Sequence, residues 1–175
     1  MLSLWPGWDA VHPLVVHFPI ALLMVAPLFV LLAVIAPKHA AGLGFSAFVL
    51  LLLGTAAAFV AVETGEATAE FALHTDAIKA VLDRHAASGE LTRNAFTVLT
   101  ALYGLVLILP HISKRAAQQA FRTGSNLVML GLLAAGCLLV VNTGHLGGRL
   151  VHELGVRAMW PQAPATAPAT PGSGS

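Results

Sequence analysis

A chain of 175 residues that is 57% hydrophobic and only 10% charged cannot fold as a water-soluble domain without exposing large apolar patches, so the composition predicts an integral membrane protein. The formal net charge of +1 gives no reason to expect a nucleic-acid partner. The single cysteine, Cys137, excludes an internal disulfide, a cysteine-based zinc site and covalent haem attachment through Cys-x-x-Cys-His.

Four stretches without a formally charged residue are each about long enough to cross a hydrocarbon core of roughly 30 Å as a helix. They are residues 18–37, 40–62, 94–112 and 123–145. Four spans put both termini on the same side of the membrane. The predicted fold is therefore all-α, an integral membrane four-helix bundle. Its organisation is an N-terminal segment 1–12, a membrane domain 13–158 and a flexible Ala/Pro/Thr-rich tail 159–175.

The short loops predict the orientation of the bundle. The first loop carries Lys38, the third carries Lys114, Arg115 and Arg122, and neither contains an acidic residue. All eight acidic residues fall on the opposite side. The positive-inside rule places the two basic loops in the cytoplasm and both termini outside. The first apolar segment lacks a basic leader and a clear cleavage site, so it is expected to remain as a span.

The segment before the first span carries two histidines. Trp5 and Trp8 are typical of the aromatic belt at a membrane interface. Pro13 favours an extended backbone at the preceding residue, so His12 is expected to precede the first helix. His17 is expected in or just before the first turn of that helix. The alternative for both histidines is interfacial hydrogen bonding.

The connection between spans two and three, residues 63–93, is too polar to cross the membrane. Part of it is predicted to form an amphipathic helix lying in the interface. Its apolar side carries residues at three- and four-residue spacing, namely Phe71, His74, Ile78, Val81, Leu82 and His85. His74 and His85 are eleven residues apart, which is about three helical turns, so both point along that side. His74 could instead only cap the helix or extend to the interface.

The fourth span ends in a segment rich in glycine and histidine. If the helix continues unbroken, His145 and His152 lie on nearly the same face about 10 Å apart, too far to share one small metal ion. Gly144, Gly147 and Gly148 allow another helix or a flat cofactor to approach closely.

Taken together, these blocks resemble a known family. The residues concerned are His-Pro-Leu-Val-Val-His-Phe-Pro-Ile at 12–20, Asp83-Arg84-His85, and His-Leu-Gly-Gly-Arg-Leu-Val-His at 145–152. They are similar to the family catalogued as domain of unknown function 2231, over residues 10 to 157. The resemblance implies a four-span bacterial membrane protein of the inner membrane, with some relatives joined to c-type cytochrome modules. It also implies that the histidines at 12, 17, 85, 145 and 152 match the family's histidine positions, although it supplies no established activity.

Six of the eight histidines fall on the extracytoplasmic side, leaving only His39 and His111 on the other. Such a cluster is typical of a bound metal or metal cofactor. The favoured prediction is a b-type haem protein, with one or two non-covalent haems, acting in electron transfer or as a subunit of a respiratory-type complex. The expected ligands are His17, His85 and His145. His12 and His152 are expected to bind a second haem if there are two, and otherwise to lie beside the first haem or to form a separate metal site.

Two alternatives stay open. The first is a zinc or copper site built from the histidines, in which His74, Glu63, Glu66 and Glu153 are further ligands or orient the imidazoles. The second is an accessory subunit without a cofactor, whose histidines stabilise contacts inside a larger complex. The expected partners are the lipid bilayer and a larger membrane complex or c-type cytochrome. No sequence motif decides whether the protein is itself an enzyme.

Overall fold

The computed structural model describes residues 8–69 and 75–156, with side chains from Val11 onward. The elements are α1 (Trp8–Val15), α2 (His17–Ile35), a 3-10 turn (Pro37–His39), α3 (Ala40–Ala69), α4 (Asp76–Ile112) and α5 (Gln119–His152). No strand occurs within the two described ranges. The tail predicted from residue 159 onward and His74 lie outside them.

Helices α2 to α5 are each long and apolar enough to cross a membrane. They coincide with the four predicted spans, so the prediction of an all-α four-span membrane protein is confirmed. With 37 residues in α4 and 34 in α5, both helices are about 50 Å long or more, at 1.5 Å per residue. They exceed a hydrocarbon core of roughly 30 Å, and their additional turns lie at the polar start of α4 and the polar end of α5.

The four spans form a closed ring in which α2 packs on α3, α3 on α4, α4 on α5, and α5 again on α2. Helix α1 packs against α3. The shared core contains Leu23, Ala26, Val30, Ala47, Leu51, Phe96, Leu99, Tyr103, Met129, Leu133 and Val140. Large apolar side chains such as Leu28, Leu53 and Leu138 are exposed, as expected of surfaces that face lipid.

The two ends of the bundle differ in chemistry. At the end that we call the histidine end, α1 packs against α3, and the end of α3, the start of α4 and the end of α5 lie together. At the opposite end, called the basic end, lie the start of α3, the end of α4 and the start of α5. Its charged residues are Lys38, Lys114, Arg115 and Arg122.

The prediction of a separate interfacial helix between spans two and three is wrong, because α4 begins at Asp76 and runs unbroken into the third span. Thr75 caps its start by accepting a hydrogen bond from the Ile78 backbone N–H at 3.3 Å. No proline interrupts the segment before Pro110. The apolar face predicted for this segment exists, and Ile78 and Val81 on it are buried against Leu150 of α5.

The expected extended backbone at His12 is also wrong, because His12 and Pro13 both lie within α1. Proline disfavours the helical conformation of the residue before it without forbidding it, and its own fixed φ is helical. The Val16 backbone N–H donates to the His12 carbonyl at 3.1 Å, and the chain turns there before α2 begins at His17. The predicted boundary between residues 12 and 13 therefore falls inside a helix.

Candidate functional site

Two of the predicted site residues meet at the histidine end. The imidazole rings of His12 from α1 and His85 from α4 have centroids 6.4 Å apart, and their planes are inclined at 82°. Both side chains are half-buried between helices. We call them the histidine pair.

Helix α3 fixes the ring of His12. Its Nδ1 lies 3.2 Å from Thr64 Oγ1. The Thr64 hydroxyl directs its own proton to the backbone carbonyls of Val60 at 2.9 Å and Ala61 at 3.1 Å, so its oxygen is left to accept. A neutral His12 ring with its proton on Nδ1 donates to this oxygen and keeps a lone pair on Nε2.

Helix α5 fixes the ring of His85 in the same way. Its Nδ1 lies 3.1 Å from the backbone carbonyl oxygen of Thr143, which can only accept. The neutral ring is therefore protonated on Nδ1 and has its lone pair on Nε2. A histidine that donates one ring N–H to a fixed acceptor and offers the other nitrogen is the usual form of a metal ligand.

A glycine lies against each imidazole. A Cβ added at Gly65 would come within 3.0 Å of His12 Cε1, and one added at Gly147 within 3.1 Å of His85 Cε1. Any side chain at these positions would push the rings away. The two glycines thus provide the close approach that brings each imidazole between its neighbouring helices.

Two hydroxyl groups of α4 contact the side chain of Thr143, the residue whose carbonyl accepts from His85. Ser88 Oγ lies 2.7 Å from Thr143 Oγ1, and Thr92 Oγ1 lies 3.0 Å from the same atom. Asn142 Nδ2 donates to Ser88 Oγ at 2.9 Å. Thr143 also donates to the Leu139 carbonyl at 3.0 Å. This network joins α4 to α5 directly beneath the histidine pair and fixes the position of the Thr143 backbone.

The ring separation limits what the pair can bind. With metal–nitrogen bonds of about 2.0 Å, two imidazoles on opposite sides of one metal have centroids roughly 6 Å apart, whereas a tetrahedral angle brings them to about 5 Å. The observed 6.4 Å is closer to the first of these two separations. Two opposed imidazoles are the axial ligand set of a six-coordinate haem.

The other predicted cofactor ligands do not join the pair. His17, His145 and His152 are all exposed. Helix α5 continues unbroken to His152, so His145 and His152 share a face as expected, but that face points away from the bundle. Gly147 and Leu150 occupy the inward face between them.

The remaining candidates also lie away from the pair. Glu63 and Glu66 are exposed, and Glu153 accepts from Arg149 Nε at 2.9 Å on the surface of α5. A Cβ at Gly144 or Gly148 would meet no atom within 4 Å, unlike one at Gly147. In residues 8–69 and 75–156, no group of three His, Cys, Asp or Glu side chains could hold a metal ion.

Six residues of this site were not found from the sequence, namely Thr64, Gly65, Ser88, Thr92, Asn142 and Thr143. The sequence contains one signal for two of them, because Thr64 and Gly65 lie between two glutamates at the end of a span. The contribution of Thr143 is a backbone carbonyl, which no side-chain pattern reveals.

One comparison with known proteins gives a match. The profile of a family described as "Predicted membrane protein (DUF2231)" matches residues 8–159, which include all four spans and both members of the histidine pair. No curated protein shows significant similarity to the chain. No solved structure does so either.

Proposed function

The chain belongs to the DUF2231 family of predicted membrane proteins, and we propose that it binds one haem b non-covalently through His12 and His85, as an electron-transfer component or subunit of a larger membrane complex. The observation that carries this proposal is the histidine pair itself, with ring centroids 6.4 Å apart. The pair draws its two ligands from different helices, as haem sites in helical bundles do.

The residues around the pair fit the demands of a haem ligand set. Thr64 Oγ1 and the Thr143 carbonyl hold both imidazoles in the tautomer that leaves Nε2 free to bind iron. Gly65 and Gly147 leave the rings in place without side-chain obstruction. A haem held there would supply one-electron chemistry, and His12, His85 and the hydrogen bonds that hold their rings would tune its potential.

A bare zinc or copper site has less support. Structural zinc takes four ligands and catalytic zinc at least three from the protein. The described residues offer two imidazoles at this point, with no third His, Cys, Asp or Glu close enough to complete a set. The outward positions of His17, His145 and His152 favour one haem over two.

The charge distribution supports the position of the haem in the membrane. Because the basic loops favour the cytoplasmic side, the histidine pair would face the outside, within reach of a c-type cytochrome. All eight acidic residues lie on the same side of the membrane in the predicted topology. Acidic surfaces attract basic partners and raise the rate of their encounter.

The proposal is tested on the full chain, expressed with abundant haem and purified in a neutral detergent. We expect a Soret band at about one haem per chain, with the pigment extracted completely by acidified acetone because no thioether bond can form. Colourless protein would overturn the proposal. Elemental analysis of such a preparation then separates a zinc or copper protein from an accessory subunit that carries no cofactor.

A further inference from the structure

A second site lies at the basic end, far from the histidine pair. A cavity of about 480 Å³ opens there between the start of α3, the end of α4 and the start of α5. Its polar lining includes Tyr103, His111, Arg122 and Asn126. Ligand pockets commonly have volumes of about 300–1,000 Å³.

Two buried polar atoms at this cavity have no hydrogen-bond partner among the described residues, Tyr103 Oη and Asn126 Oδ1. Tyr103 is fully buried, with 0% of its surface exposed. Buried polar atoms in native proteins are nearly always paired, since an unpaired one costs free energy. An unpaired hydroxyl that lines a cavity is available to donate to a water molecule or a ligand there.

The charges at the basic end favour an anion. Arg122 and His111 line the cavity, and Arg122 forms no ion pair with any residue in the described ranges. Helices α3 and α5 both begin here without an acidic residue in their first turns. Helix starts carry partial positive charge and unpaired backbone N–H groups. The sequence has no Asp or Glu between Asp9 and Glu63, or between Glu90 and Glu153.

An apolar groove adjoins the cavity. It runs between α4 and α5, with a volume of about 550 Å³, and is lined almost wholly by apolar side chains such as Leu102, Leu109 and Leu132. Val106, Phe121 and Ser125 line both the groove and the cavity. A ligand that fills both therefore has a polar head and a long apolar chain.

We propose that the basic end binds one anionic phospholipid, with its phosphate in the cavity and an acyl chain in the groove. Arg122 and His111 contact the phosphate oxygens, and Tyr103 Oη donates a hydrogen bond to one of them. A basic pocket between spanning helices at the cytoplasmic surface is the kind of site that holds lipid head groups. A neutral quinone has the same amphiphilic shape, but it has no negative charge for Arg122 and the two helix starts to attract.

The test measures thermal stability of the full chain in neutral detergent while lipid is added. Phosphatidylglycerol and phosphatidylcholine with identical acyl chains are compared, together with inorganic phosphate and a short-chain ubiquinone. We expect phosphatidylglycerol to raise the unfolding temperature at concentrations at least about tenfold below those needed with phosphatidylcholine, because a charge-assisted hydrogen bond contributes about that factor. Equal shifts with both lipids, or a shift of the same size with phosphate alone or with the quinone, would overturn the proposal.

Variants distinguish lipid binding in the cavity from a general effect of positive charge on this surface. Arg122→Gln should weaken the phosphatidylglycerol effect about tenfold, whereas Lys114→Gln, which removes the same charge outside the cavity, should not. Tyr103→Phe should raise the unfolding temperature of lipid-free protein and reduce the lipid effect, since it deletes an unpaired hydroxyl. If Lys114→Gln acts as strongly as Arg122→Gln, or Tyr103→Phe leaves the lipid effect intact, the cavity does not bind the head group.

Discussion

His12 and His85 lie on α1 and α4 with ring centroids 6.4 Å apart, yet neither ring is held by its partner. His12 hydrogen-bonds to Thr64 of α3, and His85 to the Thr143 carbonyl of α5. The separation of the rings is therefore set by the packing of four helices. Because each ring has its own hydrogen bond to a neighbouring helix, neither imidazole depends on the other for its position.

The glycines beside the rings give a sharp test of this arrangement. Gly65→Ala and Gly147→Ala place a methyl group about 3 Å from an imidazole carbon, so each ring must shift. Overpacking of this kind costs about 1–3 kcal/mol. We expect both variants to lose most of their bound haem, measured as the ratio of Soret to protein absorbance.

Gly148→Ala is the matched control, because a Cβ at Gly148 meets no atom within 4 Å. It should keep full haem occupancy and gain up to about 1 kcal/mol in helix stability. Equal loss of haem in Gly148→Ala and Gly147→Ala would show that the contact between residue 147 and the His85 ring does not determine haem binding.

The hydroxyl of Thr64 is expected to tune the haem without binding it. Thr64→Val keeps the shape of the side chain but removes the acceptor for His12 Nδ1. Changes behind metal-ligating histidines typically weaken metal binding roughly 10- to 100-fold. We expect this weakening in a haem titration, together with a shifted midpoint potential. Thr64→Ser should restore both, and a serine variant as defective as the valine variant contradicts the assigned role.

The network beneath His85 should contribute to stability. Ser88 Oγ bonds Thr143 Oγ1 at 2.7 Å and accepts from Asn142 at 2.9 Å. Ser88→Ala removes both contacts, each worth about 1 kcal/mol. We expect a lower unfolding temperature in detergent. Ser46→Ala, which loses only a bond to the Gly42 carbonyl of its own helix, should change it little. If both variants lower the unfolding temperature by a similar amount, the network does not contribute to stability in the way proposed.

The orientation predicted from the loop charges is tested by labelling cysteines in a Cys137→Ala background. An impermeant thiol reagent should label Ser173→Cys in cells whose inner membrane is intact, and Gln119→Cys only after lysis. The reverse pattern would place the histidine pair in the cytoplasm.

The sequence predicts the membrane fold well because spans depend on local composition. The four uncharged stretches coincide with α2 to α5, and the polar ends of α4 and α5 carry the histidines as expected. The apolar face around Ile78 and Val81 was also predictable from its spacing. Its packing partner was not, because Leu150 is distant in the sequence and lipid is an equally plausible neighbour for an apolar face.

Which histidines come together depends on how each helix is rotated about its axis. Helices α2 and α3 are apolar on all sides, so their patterns do not define an inward face. His145 lies two residues before Gly147, yet Gly147 contacts His85 while His145 is exposed. Two residues turn a helix by about 200°, so these positions lie on nearly opposite faces, and the sequence does not show which of them faces the bundle.

The most direct test of the central claim is electron paramagnetic resonance of the oxidised haem in His12→Ala, His85→Ala and His145→Ala, compared with the unchanged protein. Six-coordinate low-spin iron needs both imidazoles. The account predicts that the low-spin signal disappears in His12→Ala and in His85→Ala and persists in His145→Ala. A low-spin signal that survives both of the first two substitutions, or that is lost only in His145→Ala, would contradict it.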